Sequence, residues 1–122
     1  MSATTIDNTT RTFVAAEAIG AYILVKVDSS GLIETASATA AEPKVGYTTT
    51  AVSLGQAANV SLIHGGGSSY ATAAEALAIG DFVYGDANGK VSATGSSGDK
   101  VGITLTTATA DGDVIEVLPI HS

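Results

Sequence analysis

Two histidines, His64 and His121, are the side chains of this 122-residue sequence best suited to metal binding or proton transfer. Neither has a second histidine four residues away or an acidic residue beside it, as a zinc site would favour. The sequence also lacks cysteine and a Gly-x-Ser-x-Gly motif that could hold a catalytic serine. It therefore predicts no metal site and no triad, and we expect both histidines to be exposed at strand ends.

Two glycine-containing segments resemble ligand-binding loops only in part. Residues 65–69, Gly-Gly-Gly-Ser-Ser, lack the Lys-Ser/Thr pair of a phosphate-binding loop and are interpreted as a flexible connector. Asp86-Ala-Asn-Gly89 begins like a calcium loop, but no glutamate follows at the required distance, so the Asn-Gly pair predicts a hairpin turn. Because the twelve acidic residues fall mainly in turns, the sequence predicts neither an enzyme nor a cofactor.

The sequence elements that would position any site occur twice. Ala-Ala-Glu-Ala stands at residues 15–18 and again at 73–76, and the turns at 28–31 and 86–89 are likewise 58 residues apart. Lys-Val-Gly recurs at 44–46 and 100–102. Such self-similarity predicts two copies of one supersecondary unit, with half-repeats at about 13–64 and 70–120 joined by residues 65–69. What recurs is strand and turn signal, which is typical of a scaffold.

Apolar residues alternate with polar ones at the strand period through most of the chain from Phe13 onward. Thr72 and Glu75 have capping-box spacing, which predicts one short helical turn over residues 73–77. The predicted fold class is all-β, a small β-barrel or sandwich with at most short helical turns. One arrangement interleaves the two halves around a pseudo-twofold axis. Val, Ile, Leu and Ala are expected to fill its core.

Charge and composition limit the partners. The net charge is −7, and the five basic residues are scattered, which disfavours nucleic acid and anionic membranes. No apolar run approaches the roughly 20 residues needed to cross a bilayer. Only 14% of residues are charged, although hydrophobic residues make up 45%. Either hydroxyl groups keep the surface soluble, or partner subunits cover much of it; a homo-oligomer fits the second interpretation.

The polar, Thr-rich residues 1–12 are predicted to form an extended N-terminal arm preceding a single β domain at 13–122. Such a segment is either frayed or adds its backbone to a partner's sheet edge. The arm residues predicted to make that contact are Ser2, Thr4, Thr5, Ile6, Asn8, Thr10, Arg11 and Thr12.

The order of motifs in the second half resembles the capsid decoration, or cement, proteins of tailed bacteriophages. Gly80-Asp81-Phe-Val is followed by Gly89-Lys-Val91, then by Val101-Gly102, and finally by Gly112-Asp-Val-Ile-Glu-Val117. The first half carries a less regular version, in which Gly20-Ala21 stands where the second has Gly80-Asp81. The resemblance covers about residues 13–120.

The resemblance implies a non-enzymatic virion protein on the outer surface of the capsid. Such a protein binds the major capsid protein where capsomers meet and stabilises the head against internal DNA pressure. It also implies a homo-oligomer, with a trimer favoured over a dimer. The alternative is a carbohydrate- or surface-binding β module of a phage tail or cell-surface protein. The candidate residues for that binding are Tyr22, Tyr47, Tyr70 and Tyr84.

Overall fold

Ten short strands carry the fold of the computed structural model, which describes residues 10–39, 42–63, 67–94 and 100–120. Among these residues, the one helical segment is a 3-10 turn at Ala87–Gly89, and no helix is long and apolar enough to span a membrane. The strands are β1 Thr10–Val14, β2 Leu24–Val27, β3 Ile33–Thr35, β4 Lys44–Thr48, β5 Ala57–Leu62, β6 Ser69–Thr72, β7 Phe82–Gly85, β8 Val91–Ser92, β9 Lys100–Thr104 and β10 Val114–Pro119. The predicted all-β class is confirmed.

The strands form two five-stranded antiparallel sheets with the same internal order. The first is β1-β5-β4-β2-β3 and the second is β6-β10-β9-β7-β8, so each strand of the first half (residues 10–63) corresponds to the strand five places later. Even the irregularities recur, since a bulge follows Val25 in β2 and Val83 in β7. Every ladder between the described strands lies within one half. The interleaved arrangement is therefore wrong, and each half has its own sheet.

Each sheet curls until its two edge strands meet. Ala15, just after β1, bridges Ile33 at the start of β3, and the Ala16 N–H donates to the Ile33 carbonyl at 2.8 Å. In the second half (residues 67–120), Ala73 bridges Val91 in the same parallel sense. The bridge closes one end of a small barrel and leaves a seam between the edge strands elsewhere. Small aliphatic side chains face inward because a barrel this narrow has little room.

The first barrel has an apolar interior of its own, formed by Phe13, Ala15, Ile19, Val25, Ile33, Ala58 and Val60. The corresponding positions of the second barrel are Ala71, Ala73, Leu77, Val83, Val91, Ile115 and Val117, and all are buried. The buried cluster to which the second interior belongs also contains Leu24, Ala36, Tyr47 and Ile63 from the first half. The second core is thus shared between the halves.

The turn before β2 corrects the predicted alignment of the halves by two residues. Tyr22 N–H donates to the Thr48 carbonyl at 2.9 Å, and Gly80 N–H donates to the Thr104 carbonyl at 2.8 Å. Tyr22, and not Gly20, is therefore the counterpart of Gly80. Both have positive φ, 58° at Tyr22 and 92° at Gly80. A tyrosine with positive φ costs about 1 kcal/mol or more relative to glycine, so the backbone of this turn is strained at Tyr22.

Two local predictions have opposite outcomes. Asn88 and Gly89 have φ of 62° and 71°, as the predicted Asn-Gly turn requires. The helical turn predicted over residues 73–77 is wrong, because this segment contains bends and isolated bridges. The Glu75 carboxylate instead accepts a hydrogen bond from the Ala93 N–H at 2.9 Å and ties the segment to the end of β8. A long-range backbone contact replaces the local cap.

The halves pack in a head-to-tail manner. Leu24 and Tyr47, neighbours across β2 and β4, point outward from the first barrel yet are fully buried against the second. The Tyr47 hydroxyl donates to the Val101 carbonyl at 3.1 Å. Burial raises the pKa of Tyr47 far above its usual range, so the hydroxyl remains a donor. A twofold axis would bring equivalent surfaces together, whereas this junction joins different ones, so the pseudo-twofold arrangement is also wrong.

Two glycines of the second half allow this close approach. A Cβ on Gly89 would lie 2.8 Å from the Leu24 carbonyl oxygen, and one on Gly85 would lie 2.8 Å from Lys44 Cε. Both distances are shorter than van der Waals contact. Gly89 is required in this packing because the obstructing atom is backbone and the φ of Gly89 is positive, whereas a side chain at Gly85 would have to displace the end of Lys44. The β7–β8 hairpin therefore lies directly on β2 and its neighbours in the first half.

Candidate functional site

The predicted shell-contact residues fall in two groups. Ser2, Thr4, Thr5, Ile6 and Asn8 lie outside the described residues. Thr10, Arg11 and Thr12 form the first three residues of β1, where they pair with Ser61, Val60 and Asn59 of β5. The end of the predicted arm is therefore an ordered edge strand of the first sheet.

That edge strand combines polar exposure with an open side. β1 is the first strand of its sheet and pairs in a ladder with β5 alone among the described strands. Arg11 and Thr12 are exposed, and the Arg11 guanidinium carbon lies 4.7 Å from the centre of the Phe13 ring. An edge strand with unpaired backbone groups is a template on which an extended segment of another protein can pair.

A cleft opens at the junction of the halves and gathers two of the four tyrosines. Its volume is about 330 Å³. Tyr22 and Tyr70 meet edge to face, with ring centres 5.6 Å apart and planes inclined by 64°. Tyr70 is 57% exposed, whereas Tyr47 is buried in the core and Tyr84 does not line this cleft. The other lining residues carry hydroxyl groups: Thr48, Thr49, Ser61, Ser68 and Ser69.

Hydrogen bonds between and within the two halves fix the walls of the cleft. Thr72 Oγ1 donates to the Tyr22 carbonyl at 3.0 Å, which fixes the strained backbone from the second half. Ser61 Oγ and Ser69 Oγ share a hydrogen bond of 2.6 Å across the junction. Ser68, from the predicted connector, donates to the Glu116 carboxylate. The cleft thus combines an aromatic wall with several fixed hydroxyl groups, an arrangement that small-molecule sites use for apolar contact and orientation.

The predicted connector is described only in part, since its residues 65 and 66 lie outside the described residues. Ser69 already belongs to β6, and Thr94 is bound through its N–H and hydroxyl to the Glu75 carboxylate at 3.2 Å.

One ion-pair cluster is buried beside the junction. The Glu42 side chain is 8% exposed and lies 2.8 Å from Lys26 Nζ and 3.2 Å from Lys44 Nζ. Ser37 adds two hydrogen bonds, from its N–H at 3.0 Å and its hydroxyl at 2.7 Å. Burial opposes ionisation of Glu42, but these donors outweigh it and lower its pKa to about 2. Every charge is satisfied by a neighbour, so the cluster is structural.

The remaining acidic residues that could do chemistry are also used locally. Asp113 accepts from the Thr109 N–H at 2.7 Å and the Thr109 hydroxyl at 2.8 Å, which lowers its pKa. Asp111 pairs with Lys90 at 2.8 Å. No group of three potential metal ligands occurs among the described residues, and His64 and His121 lie outside them. The turn interpretation of these acids agrees with their contacts.

Sequence reasoning missed an exposed apolar row on the second sheet. Phe82, Ile103 and Leu118 are paired in turn across β7, β9 and β10, so they lie side by side on its outer face. Phe82 is 46% exposed and Leu118 is 41% exposed. The signal was present, because β7 has apolar side chains on both of its faces, whereas a strand of an antiparallel sheet commonly has one polar, solvated face.

No protein-family model matches the chain, and no curated protein sequence matches it. Among solved structures, it is similar to the crystal structure of the head fiber gp8.5 N base of bacteriophage phi29. The TM-score is 0.69 at 16% sequence identity, and the match covers 91% of this chain and 92% of that chain. Because the likeness extends over nearly the full length of both, the chain has the fold of that phage head fiber base.

Proposed function

We propose that the chain is a structural protein of a phage virion, bound to the outer surface of the head, where it cements neighbouring capsomers. The observation that carries this proposal is the full-length fold likeness to a phage head fiber base. The motif order that resembles phage decoration proteins supports it independently, because that resemblance rests on residue types and not on backbone geometry.

The proposed mechanism is binding linkage without covalent chemistry. A protein that binds only the assembled shell stabilises that shell by mass action. A cement protein that contacts more than one capsomer adds its own contacts to those that must break before the shell opens under internal DNA pressure. The net charge of −7 favours the outer surface, since inside the head it would face the phosphates of DNA.

The proposed contact with the major capsid protein is the N-terminal arm together with β1. The open edge at Thr10–Val14 offers backbone groups for strand addition, and residues 1–9 precede it directly. The protein would act as a homo-oligomer, with a trimer favoured, so that several arms reach different capsomers and bind with avidity.

Sedimentation with purified phage heads tests the proposal. The wild-type protein should pellet with the heads at saturable stoichiometry and raise the temperature at which they release DNA. Deletion of residues 2–9 keeps β1 and should lower occupancy about tenfold or more. A matched control replaces residues 2–9 with a Gly/Ser segment of the same length. Equal occupancy of all three proteins would reject the arm, and no binding by the wild type would reject the cement function.

A second candidate function is recognition of a saccharide by the junction cleft. Its support is the pairing of an exposed tyrosine ring with several hydroxyl groups, since sugars bind through aromatic contact and hydrogen bonds. A glycan array followed by NMR titration tests it. Tyr70→Ala should abolish binding and Tyr84→Ala should retain it. An array without hits would leave the cement function as the single proposal.

A further inference from the structure

The two barrels differ in how far their outward-facing rows of side chains are buried. In the first half the row is Leu24, Tyr47 and Ser61, paired across β2, β4 and β5. Its counterpart in the second half is Phe82, Ile103 and Leu118, which we call the outer row. Leu24 and Tyr47 are fully buried, whereas Phe82 and Leu118 are nearly half exposed. The same structural position is thus fully covered in one half and only partly covered in the other, where Lys100 Nζ lies 4.4 Å from the centre of the Phe82 ring.

The surface that covers the first row also has an open counterpart. Val101, Gly85 and Gly89 of the second half receive Leu24, Tyr47 and their neighbours. Their counterparts Val45, Val27 and Gly31, which we call the receiving surface, are exposed or half-buried. A Cβ on Gly89 would collide with Leu24, Ile23 and Thr35, but a Cβ on Gly31 would have nothing within 4 Å. The internal junction is formed by two different surfaces, and the chain carries a second, accessible counterpart of each of them.

We propose that a second copy of this chain occupies these surfaces, with the outer row of one copy packed on the receiving surface of the next. The contact would repeat between chains the junction that already exists within each chain. It is heterologous, joining two different surfaces, so successive copies close into a ring or continue as a filament. The inference rests on the proposed homo-oligomer and names its surfaces. A closed trimer would carry six barrels joined by six related contacts.

The repeated contact would be shallower than the internal one. Val27 stands where the second half has Gly85, and Val14 stands where it has Thr72. The larger side chains prevent the close approach that Gly85 allows to Lys44 and Leu24. Apolar area remains on both sides: Val14, at the position that Thr72 occupies in the internal junction, is 44% exposed, and Phe82 is 46% exposed. The association should accordingly be reversible and concentration-dependent.

Analytical ultracentrifugation of paired surface variants tests this arrangement. Phe82→Glu places a charge in the outer row, and Gly31→Asn adds a side chain to the receiving surface while tolerating positive φ. Each should weaken self-association about tenfold or more, with Leu118→Glu as a second outer-row variant. Gly112→Asn is the control, because Gly112 has positive φ and open space but lies in neither surface. Circular dichroism should show all four variants folded.

Mixing the variants distinguishes a heterologous contact from a symmetric one. Phe82→Glu retains its receiving surface and Gly31→Asn retains its outer row, so an equimolar mixture should form a heterodimer and stop there. If the wild type stays monomeric at every concentration, or if both variants associate like the wild type, the inference is overturned. Sedimentation with phage heads tests the capsid proposal separately. An oligomer that does not bind the heads would contradict cementing without contradicting the contact between copies.

Discussion

Glu17 and Glu75 occupy the same position in the two halves, and each carboxylate accepts a 2.9 Å hydrogen bond from the backbone N–H of the residue 18 positions later, Thr35 and Ala93 respectively. The repeated Ala-Ala-Glu-Ala motif thus has a physical role. Its glutamate caps the free N–H at the end of the short edge strand and holds that strand near the barrel seam.

Removal of these two caps should lower the free energy of unfolding by different amounts. Glu75 also binds the N–H and hydroxyl of Thr94 at 3.2 Å and is half-buried, whereas Glu17 is exposed and has one such bond. We expect Glu75→Ala to lower the free energy of unfolding by about 1–2 kcal/mol and Glu17→Ala by about 0.5–1 kcal/mol. Urea denaturation measures both. A larger loss for Glu17→Ala would contradict this role.

Gly46 and Gly102 provide a matched pair in β4 and β9. A Cβ on Gly46 would overlap the Ser61 backbone, whereas one on Gly102 would lie 3.3 Å from the nearest atom, the Leu118 carbonyl oxygen. Gly46→Ala should therefore destabilise the fold by about 3 kcal/mol, since strand spacing must change, and Gly102→Ala by about 1 kcal/mol. Thermal denaturation of the two variants compares them directly. Equal melting temperatures would show that the β4–β5 contact relaxes freely.

Tyr47→Phe removes one hydroxyl from the junction. Its hydrogen bond to the Val101 carbonyl is fully buried, so we expect a loss of about 1 kcal/mol in the free energy of unfolding. Tyr70→Phe is the control and should change stability by less than about 0.5 kcal/mol, because Tyr70 is largely exposed. Equal effects of the two substitutions would argue against the Tyr47 bond as an anchor of the halves.

The Glu42 cluster should make stability depend on acid pH. Folding lowers the Glu42 pKa from about 4.5 to about 2, so the native state favours the carboxylate. Its contribution is present above pH 4.5 and is lost as the pH falls towards 2. Glu42→Gln should lower stability at pH 7 by about 2 kcal/mol and flatten the acid slope.

A neighbouring carboxylate provides the control for that profile. Glu34 lies 3.6 Å from Lys26 Nζ, and its side chain is 37% exposed. Glu34→Gln should change stability by less than about 0.5 kcal/mol at pH 7, because a solvent-exposed ion pair contributes little. If the stability of Glu42→Gln still falls with acid pH as steeply as that of the wild type, other carboxylates cause the acid sensitivity.

Strands, turns and the repeat could be predicted because they depend on local patterns. The Asn88-Gly89 turn needs only two residues that accept positive φ, and alternation along β9 needs only its own side chains. The correspondence of Tyr22 with Gly80 could not be found this way, since a tyrosine gives no signal for a left-handed turn. It became visible through long-range hydrogen bonds to Thr48 and Thr104.

The choice of which sheet face is buried was beyond sequence reasoning for a different reason. Leu24 and Phe82 are both large and apolar at equivalent positions, yet one is fully buried and the other is 46% exposed. Hydrophobicity predicts that each prefers burial and says nothing about how two barrels dock. The Tyr22–Tyr70 cleft depends on the same docking, because its walls come from different halves.

The unequal cores have a consequence for synthesis on the ribosome. Among the described residues, the buried cluster of the first barrel consists of first-half residues, whereas the cluster that contains the second interior also includes Leu24 and Tyr47, which pack on the second barrel from the first half. The half that emerges first is therefore the one that can fold before its neighbour exists. Once folded, it presents a finished apolar surface on which the later half can condense. The order of translation thus matches the order in which the two cores become complete.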